Sequence, residues 1–236
     1  SLLHMKIILN PKYEHLRGYL SRIEEHFDHE GKEIFRDRNV IRTLQTDGLT
    51  LCVKRYAPLS FGGRLAVRTY KASKGKKAYF APLNLRERGF ESPEPIAFVK
   101  YTKGLTRTTT YFVCLLSTYR YSMSNILDFS TDERREITAC FARYAARLHS
   151  EGFMHRDFSA SNILFDKVDG RYHFALIDTN SLRTGRPVSI EKGCANFSRL
   201  IGDEEFYRWL AEGYAAARNA DPAYCLKLIR QVHGLD

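Results

Sequence analysis

Segments that favour strands and segments that favour helices are separated along this chain, and the change comes near Ser117. Four stretches before it are rich in Val, Ile, Leu and Thr and predict strands: residues 40–44, 49–54, 96–100 and 109–116. The first two flank Asp47-Gly48, a dipeptide typical of tight hairpin turns. We therefore expect an α+β protein whose antiparallel sheet precedes a smaller, mainly helical part.

Helical periodicity predicts a first helix over residues 12–27, because apolar side chains recur there every three or four positions. These side chains are Leu16, Tyr19, Leu20, Ile23 and Phe27. Residues 71–88 favour a second helix, although Pro82 weakens that prediction unless it lies in the first turn of a separate segment. Residues 203–217 and 222–233 predict two closing helices.

The longest amphipathic helix is predicted after Ser130, where Ser130 and Glu133 form a capping box. Its apolar face consists of Ile137, Phe141, Tyr144 and Leu148. Gly152 is the expected end of this helix. Residues 162–165 and 172–177, joined by an Asp-Gly turn, predict a hairpin soon afterwards.

The chain carries 37 Lys and Arg against 27 Asp and Glu, a net charge of +10 that favours anionic partners. Its five cysteines are an odd number and lack C-x-x-C spacing, so we expect a reduced cytoplasmic setting rather than a disulfide framework or a zinc site. The apolar runs are too short to cross a bilayer, and residues 1–10 lack the pattern of a signal peptide.

The most informative motif is His155-Arg156-Asp157 followed, five positions after the aspartate, by Asn162. It lies between the amphipathic helix and the hairpin, and the second strand of the hairpin leads to Asp178. One carboxylate can orient a hydroxyl proton, while an amide oxygen and another carboxylate are hard ligands suited to Mg²⁺. This spacing indicates phosphoryl transfer. The alternative is a structural role in which these side chains cap a turn.

Lys54 ends the strand Cys52-Val53-Lys54, which is similar to the V-A-I-K strand of kinases. A lysine in that position contacts the α- and β-phosphates of ATP. A lysine on a strand is usually only solvated, but this one lies in the strand-rich part of the chain, where a kinase would need it.

Over roughly residues 6 to 230, the chain resembles the lipopolysaccharide kinase family, which has a protein-kinase-like fold and phosphorylates Kdo or heptose in the inner core of lipid A. The G-F-x-S-P-x-P-I-A stretch and the I-D-T-N segment separate it from ordinary protein kinases. The matching stretches are residues 38–40, 51–56, 73–74, 88–97, 148–157, 177–180 and 196–200.

The resemblance implies a bilobal fold, with an N-lobe of antiparallel sheet and helices at residues 1–116 and a small, mainly helical C-lobe at 117–236. It implies ATP and Mg²⁺ as cofactors. Asp157 would be the catalytic base, with Lys54 and His155 in the same catalytic set. Asn162 and Asp178 would be the magnesium ligands. Lys54, Arg38, Asn39 and Ser117 are the expected nucleotide contacts.

Three departures from the kinase pattern stand out. No G-x-G-x-x-G loop precedes Lys54, so backbone amides near Arg38-Asn39, or the side chains of Arg38 and Arg42, are candidates to cover the phosphates. The position expected to hold the glutamate partner of Lys54 is Phe80, with Glu87 as a substitute. Asp178 is followed by Thr179-Asn180, and no A-P-E follows, so control by activation-loop phosphorylation is not supported.

The remaining positive charge predicts either a solvated basic face or docking to an anionic membrane. These cations are Arg64, Arg68, Lys71, Lys74, Lys76, Lys77, Lys100, Lys103 and Arg107. The leading hypothesis is an ATP-dependent kinase of an anionic glycolipid, lipid A–core, in the cytoplasm, with a peripheral position on the inner face of the cytoplasmic membrane as one option. The alternatives are a small atypical protein kinase, a nucleotide-binding scaffold without turnover and, less favoured, a small-molecule kinase. No nucleic-acid partner is expected, since no recognition module is evident.

Overall fold

The computed structural model describes residues 3–57, 64–104 and 107–236, with residues 64–75 described by their backbone alone. The chain divides into two compact units, residues 1–118 and 119–236. Four of the nine basic side chains singled out above, Arg64, Arg68, Lys71 and Lys74, lie outside the described side chains. Lys76 and Lys77 are exposed, and Lys103 lies 3.4 Å from the Glu24 carboxylate.

In the first unit, the described residues form one antiparallel sheet of six strands in the order β1-β5-β6-β4-β3-β2. The strands are β1 (Leu3–Leu9), β2 (Lys32–Arg36), β3 (Val40–Thr46), β4 (Leu49–Arg55), β5 (Pro95–Lys103) and β6 (Arg107–Leu115). The β3–β4 hairpin is confirmed, and both turn residues have positive φ, 50° at Asp47 and 73° at Gly48. A two-residue turn of that kind matches the twist of the strands it joins.

The predicted helix over residues 12–27 is divided in two. A 3-10 turn at Pro11–Leu16 precedes α1 (Arg17–Ser21) and α2 (Ile23–His29), and Arg22 between the helices has a non-helical φ of −113°. The Tyr101 hydroxyl donates to the Ser21 carbonyl at 2.7 Å. That carbonyl would otherwise accept a hydrogen bond from the next helical turn. The prediction of one continuous helix is therefore wrong because a side chain of the sheet takes one of its backbone acceptors.

Alternation along the strands gives the sheet two distinct faces. Val53 and Leu51 of β4 belong to the core that also contains Leu20, Ile23 and Phe27 of the short helices. Lys54 points to the other face, where its cross-strand neighbours are Ile41 and Phe112. A third helix, α3 (Arg64–Glu87), packs against β5 and β6 and continues through Pro82, which is buried.

The second unit contains four helices and five short strands among residues 119–236. The helices are α4 (Thr131–Ser150), α5 (Ile190–Ala195), α6 (Glu204–Arg218) and α7 (Pro222–Val232). The strands are β7 (Tyr121–Ser122), β8 (Phe153–His155), β9 (Ile163–Val168), β10 (Arg171–Leu176) and β11 (Leu182–Thr184), paired as β10-β9-β7 and β11-β8. Among all described residues of the chain, none of the helices has the length and apolarity needed to cross a bilayer.

The capping box at the start of α4 is confirmed, with the Glu133 N–H donating to Ser130 Oγ at 3.3 Å. The four predicted apolar positions of this helix are buried. Phe141 on that face packs against the rings of Phe158 and Phe197, at centroid distances of 5.9 and 6.2 Å. Phe158 directly follows Asp157, so the aromatic core supports the segment that carries the candidate site.

Gly152, between α4 and β8, should be intolerant of a side chain. Its φ is +85°, and a Cβ there would overlap the Gly185 carbonyl. Gly170 has a similar φ of +78° but nothing within 4 Å of the same position, which makes it a matched control. We expect Gly170→Ala to lower the free energy of unfolding by about 1 kcal/mol and Gly152→Ala to lower it by at least about twice as much. Equal losses in chemical denaturation would contradict the close approach.

Candidate active site

The loop after β8 closes on itself through the Asn162 carboxamide. Asn162 Nδ2 donates to the Asp157 carbonyl at 3.0 Å and to Asp157 Oδ2 at 3.3 Å. A 3-10 turn at Ala160–Asn162 returns the chain to Asp157, and the Asn162 N–H donates to the Ser159 carbonyl at 3.0 Å. The four residues between Asp157 and Asn162 thus give the chain the length it needs to turn back. The structure brings Asp157 and Asn162 into direct contact.

His155 is buried, and both of its ring nitrogens are bonded to backbone groups. Nδ1 accepts from the Asp157 N–H at 3.0 Å, so Nε2 carries the proton and donates to the Ile177 carbonyl at 3.0 Å. Burial lowers the pKa of His155, which favours this neutral form. Its predicted catalytic role is therefore corrected to a positioning role, because an enclosed imidazole with both nitrogens bonded cannot contact a substrate.

Asp178 follows β10 and is held beside the loop by the chain before it. The Ile177 N–H donates to the Asn162 carbonyl at 3.0 Å, which places Asp178 one residue from a direct backbone contact with Asn162. Asp178 has a left-handed backbone, with φ 55° and ψ 50°, a conformation that Asp tolerates better than most residues. With its amide oriented to suit its neighbours, Asn180 Nδ2 donates to Asp178 Oδ1 at 3.0 Å.

The donor set fits Mg²⁺. Because Asn162 Nδ2 is bonded to Asp157, the amide oxygen of Asn162 is the atom that remains for a cation. The Asp178 carboxylate supplies a second hard oxygen ligand. Within the described part of the chain, no three His, Cys, Asp or Glu side chains converge on a metal position. Magnesium commonly takes only one or two protein carboxylates and completes its shell with phosphate and water.

Arg199 also belongs to this site, although no local motif in the sequence singles it out. Its guanidinium Nη1 forms an ion pair with Asp157 Oδ1. Its carbonyl accepts from the Ala160 N–H at 3.3 Å, within the same loop. The segment 196–200 was one of the matching stretches, but a contact 42 positions away along the chain leaves no local pattern in the sequence.

A chain of buried and partly buried hydrogen bonds supports β8. Asn196 Nδ2 donates to the His155 carbonyl at 2.9 Å, and Asn196 Oδ1 accepts from His149 Nε2 at 3.0 Å. His149 Nδ1 accepts from the Tyr214 hydroxyl at 2.7 Å, and Tyr214 in turn accepts from Arg218 at 2.7 Å. Burial lowers the pKa of His149 to about 4, so the neutral ring that this arrangement requires is the stable form.

The predicted nucleotide contacts lie in the first unit. Lys54 is on β4, with Nζ 5.2 Å from the centroid of the Tyr56 ring. Arg38 is exposed in the turn between β2 and β3, and Asn39 Oδ1 accepts from the Ala57 N–H at 2.9 Å. Ser117 follows the end of β6.

The expectation that Arg42 shares the phosphates with Lys54 is wrong. Arg42 is the cross-strand partner of Val53, so it lies on the face of the sheet opposite to Lys54. Its guanidinium donates to the Glu30 carbonyl at 2.8 Å and to the Gly31 carbonyl at 3.0 Å. The side chain therefore holds the turn between α2 and β2.

The two side chains considered as partners for Lys54 are both on α3. Phe80, at the position where a glutamate was expected, is 51% exposed and packs edge-on against Tyr79 at a centroid distance of 4.9 Å. Glu87 is the exposed last residue of the helix.

The chain is similar to known proteins at the levels of family and fold. A model of the lipopolysaccharide kinase (Kdo/WaaP) family matches residues 81–199. A solved structure of WaaP in complex with acyl carrier protein matches with a TM-score of 0.62 and 16% identity, covering 97% of this chain and 98% of that one. A crystal structure of WbdD matches with a TM-score of 0.51 and 17% identity, covering 86% and 46%. No curated protein sequence matches significantly.

Because the pKa of His149 is lowered in the folded protein, the free energy of unfolding should decrease as the solution becomes more acidic. The unfolded histidine binds a proton below about pH 6.5, whereas the folded one stays neutral to about pH 4. The free energy of unfolding should therefore fall as the pH is lowered between these values, by about 3 kcal/mol from this group, and be independent of it above pH 6.5. NMR titration of the His149 ring in the wild-type protein measures this directly. A midpoint near 6.5 would contradict the buried neutral ring.

Proposed function

Because this chain belongs to the lipopolysaccharide kinase (Kdo/WaaP) family, we propose that it transfers the γ-phosphate of ATP to a hydroxyl of Kdo or heptose in the lipopolysaccharide inner core. The observation that carries the proposal is the hydrogen bond between the side chains of Asp157 and Asn162. Asp178 is held beside the same loop, because the residue before it, Ile177, donates a backbone hydrogen bond to the Asn162 carbonyl. One carboxylate for the acceptor and two oxygen ligands for a cation are what phosphoryl transfer requires.

Asp157 is the residue that receives the acceptor. Its carboxylate is 38% exposed, so a sugar hydroxyl can reach it, and the Asn162 amide limits its rotation. The hydroxyl donates its hydrogen bond to this carboxylate, which orients the oxygen for attack. The carboxylate takes the proton as the new oxygen–phosphorus bond forms, while the bond from the γ-phosphorus to the bridging oxygen breaks and ADP leaves. His155 holds the backbone of Asp157 and takes no part in the proton transfer.

Asn162 Oδ1 and the Asp178 carboxylate would hold Mg²⁺, whose charge, when it is bound, offsets the negative charge on the transferring phosphate. Lys54 would contact the α- and β-phosphates, and Arg38, Asn39 and Ser117 would line the nucleotide site. We assign residues 1–116 as the N-lobe and 117–236 as the C-lobe of a protein-kinase-like fold. The net charge of +10 suits a peripheral position on the inner face of the cytoplasmic membrane, where an anionic glycolipid is the substrate.

We also propose acyl carrier protein as a candidate protein partner, since the WaaP structure similar to this chain was solved in complex with one. Size-exclusion chromatography of the purified chain with acyl carrier protein tests the partnership. Co-elution is expected, and separate elution at micromolar concentrations of both proteins would contradict it.

Asp157→Asn should abolish transfer while leaving the fold intact, because an amide can still accept the hydrogen bond from Asn162 but cannot take up the hydroxyl proton. The ion pair with Arg199 is lost, but at its exposure it contributes little to stability. We expect kcat to fall by at least about 100-fold, with an unchanged thermal unfolding midpoint. Asp169→Asn, in the turn of the β9–β10 hairpin, is the matched control and should keep wild-type activity. Labelled ATP with purified Kdo-lipid A measures the transfer. Phosphate appearing only on serine or threonine of added proteins would favour a protein kinase instead.

Asn162→Ala should raise the Mg²⁺ concentration needed for half-maximal activity by about tenfold or more, because it removes one oxygen ligand. Ser161→Ala, at the exposed neighbouring position, is the control and should leave that concentration unchanged. A rate that responds to Mg²⁺ identically in both variants would remove Asn162 from the metal site.

Tight ATP binding by the wild type with no transfer or hydrolysis would favour a scaffold without turnover.

A further inference from the structure

Residues 196–199 contact β8 and the loop after it at three points, and the proposed function gives these residues no role. Asn196 Nδ2 bonds to the His155 carbonyl before Asp157, and the Arg199 carbonyl accepts from the Ala160 N–H after it. The Arg199 guanidinium reaches Asp157 itself. Two of these contacts secure the backbone on either side of the base, and only the third involves its carboxylate.

The Arg199 side chain is only partly used by that ion pair. A guanidinium carries five N–H donors in a planar fork. Nη1 bonds to Asp157 Oδ1, whereas Nε and Nη2 have no hydrogen-bond acceptor within residues 119–236. The side chain of Arg199 is 60% exposed. Donors for a planar or tetrahedral oxyanion therefore lie beside the carboxylate that receives the attacking hydroxyl.

Holding Asp157 in place does not by itself account for an arginine here. An ion pair at this exposure contributes only about 0–1 kcal/mol to stability. The other oxygen of Asp157 is already bonded to Asn162, and the backbone contacts of Asn196 and Arg199 secure the loop without the guanidinium. Arginine is, however, the side chain best shaped to bind two anionic groups at once, through different edges of its fork.

We propose that Arg199 binds an anionic group of the acceptor, a sugar phosphate or carboxylate, and so places the neighbouring hydroxyl against Asp157. This inference rests on the proposed function, whose acceptor it narrows to a sugar bearing a phosphate or carboxylate near the reacting hydroxyl. The ion pair with Asp157 fixes the guanidinium, and its remaining donors take the anion in a bidentate manner. Correct orientation of the hydroxyl then follows from the fixed spacing of the two residues.

The test compares four forms of one acceptor, the lipid A–core oligosaccharide. The first is untreated, the second is treated with phosphatase, the third has its carboxylates reduced to alcohols, and the fourth has received both treatments. The readout is the ratio of kcat/KM for the untreated acceptor to that for the doubly treated one. Arg199→Gln removes the charge, and Arg199→Lys keeps the charge but not the fork. Arg171→Gln, at the far end of the β9–β10 hairpin, is the control.

In the wild type, kcat/KM for the untreated acceptor should be at least about tenfold higher than for the doubly treated one. In Arg199→Gln this ratio should be close to one, and in Arg199→Lys it should lie between these two values. The singly treated acceptors identify which anion is bound. An equal loss of kcat/KM on all four acceptors in Arg199→Gln would mean that the side chain only holds Asp157, and would overturn the inference. Thermal unfolding midpoints of the variants, matched to wild type, exclude misfolding as the cause.

Calorimetric titration of the oligosaccharides separates this inference from the proposed function, since binding needs no turnover. The untreated oligosaccharide should bind at least about tenfold more weakly to Arg199→Gln than to Arg171→Gln. If that difference is found but the wild type transfers no phosphate, the proposed function fails and the assignment of Arg199 stands. Binding that is unaffected by Arg199→Gln overturns the assignment whatever the activity.

Discussion

The hydrogen bonds from the Asn162 carboxamide to Asp157 are the constraint on which the candidate site depends. They close the loop around a short turn, so the carboxylate and the amide are held face to face. Asn162 is buried, and a buried amide that lost these partners would cost about 1–3 kcal/mol. Because β9 begins at the next residue, the same closure sets the register of the hairpin that returns the chain to Asp178.

A second constraint is the series of hydrogen bonds that leads from Arg218 to the backbone of β8, in which each group donates to the next. Arg218 can only donate, so the Tyr214 oxygen accepts from it and the Tyr214 hydroxyl donates to His149. A neutral His149 then donates a hydrogen bond from Nε2 to Asn196 Oδ1, and the amide nitrogen of Asn196 donates to the His155 carbonyl. Protonation of His149 would leave two donors facing one another at Tyr214. Burial, which keeps this ring neutral, thus also keeps β8 in place.

Local features could be predicted from the sequence, and contacts between distant segments could not. The capping box of Ser130, the Asp47-Gly48 turn and the spacing of Asp157 and Asn162 each depend on a few adjacent residues, and the structure contains all three. The break in the first helix depends on Tyr101, about 80 residues further along the chain. The pairing of Arg199 with Asp157 likewise leaves no periodicity to detect.

The face of the sheet on which Arg42 lies follows from the sequence, because a two-residue turn at Asp47-Gly48 pairs Thr46 with Leu49 and therefore Arg42 with Val53. The role of His155 does not follow from the sequence, because its residue type suits proton transfer and only the structure shows that backbone groups bond to both ring nitrogens. Composition indicated an anionic partner without indicating where on the chain it binds.

We propose that this protein phosphorylates a sugar of the lipopolysaccharide inner core, with Asp157 as the base and Asn162 and Asp178 beside it. Mass spectrometry of lipid A–core tests it most directly, using cells that lack the protein and carry either the wild-type chain or Asp157→Asn on a plasmid. The account predicts that the wild-type chain restores one phosphate to lipid A–core, a mass increase of about 80 Da. With Asp157→Asn this phosphate should stay absent. Identical lipid A–core in the two strains would contradict it.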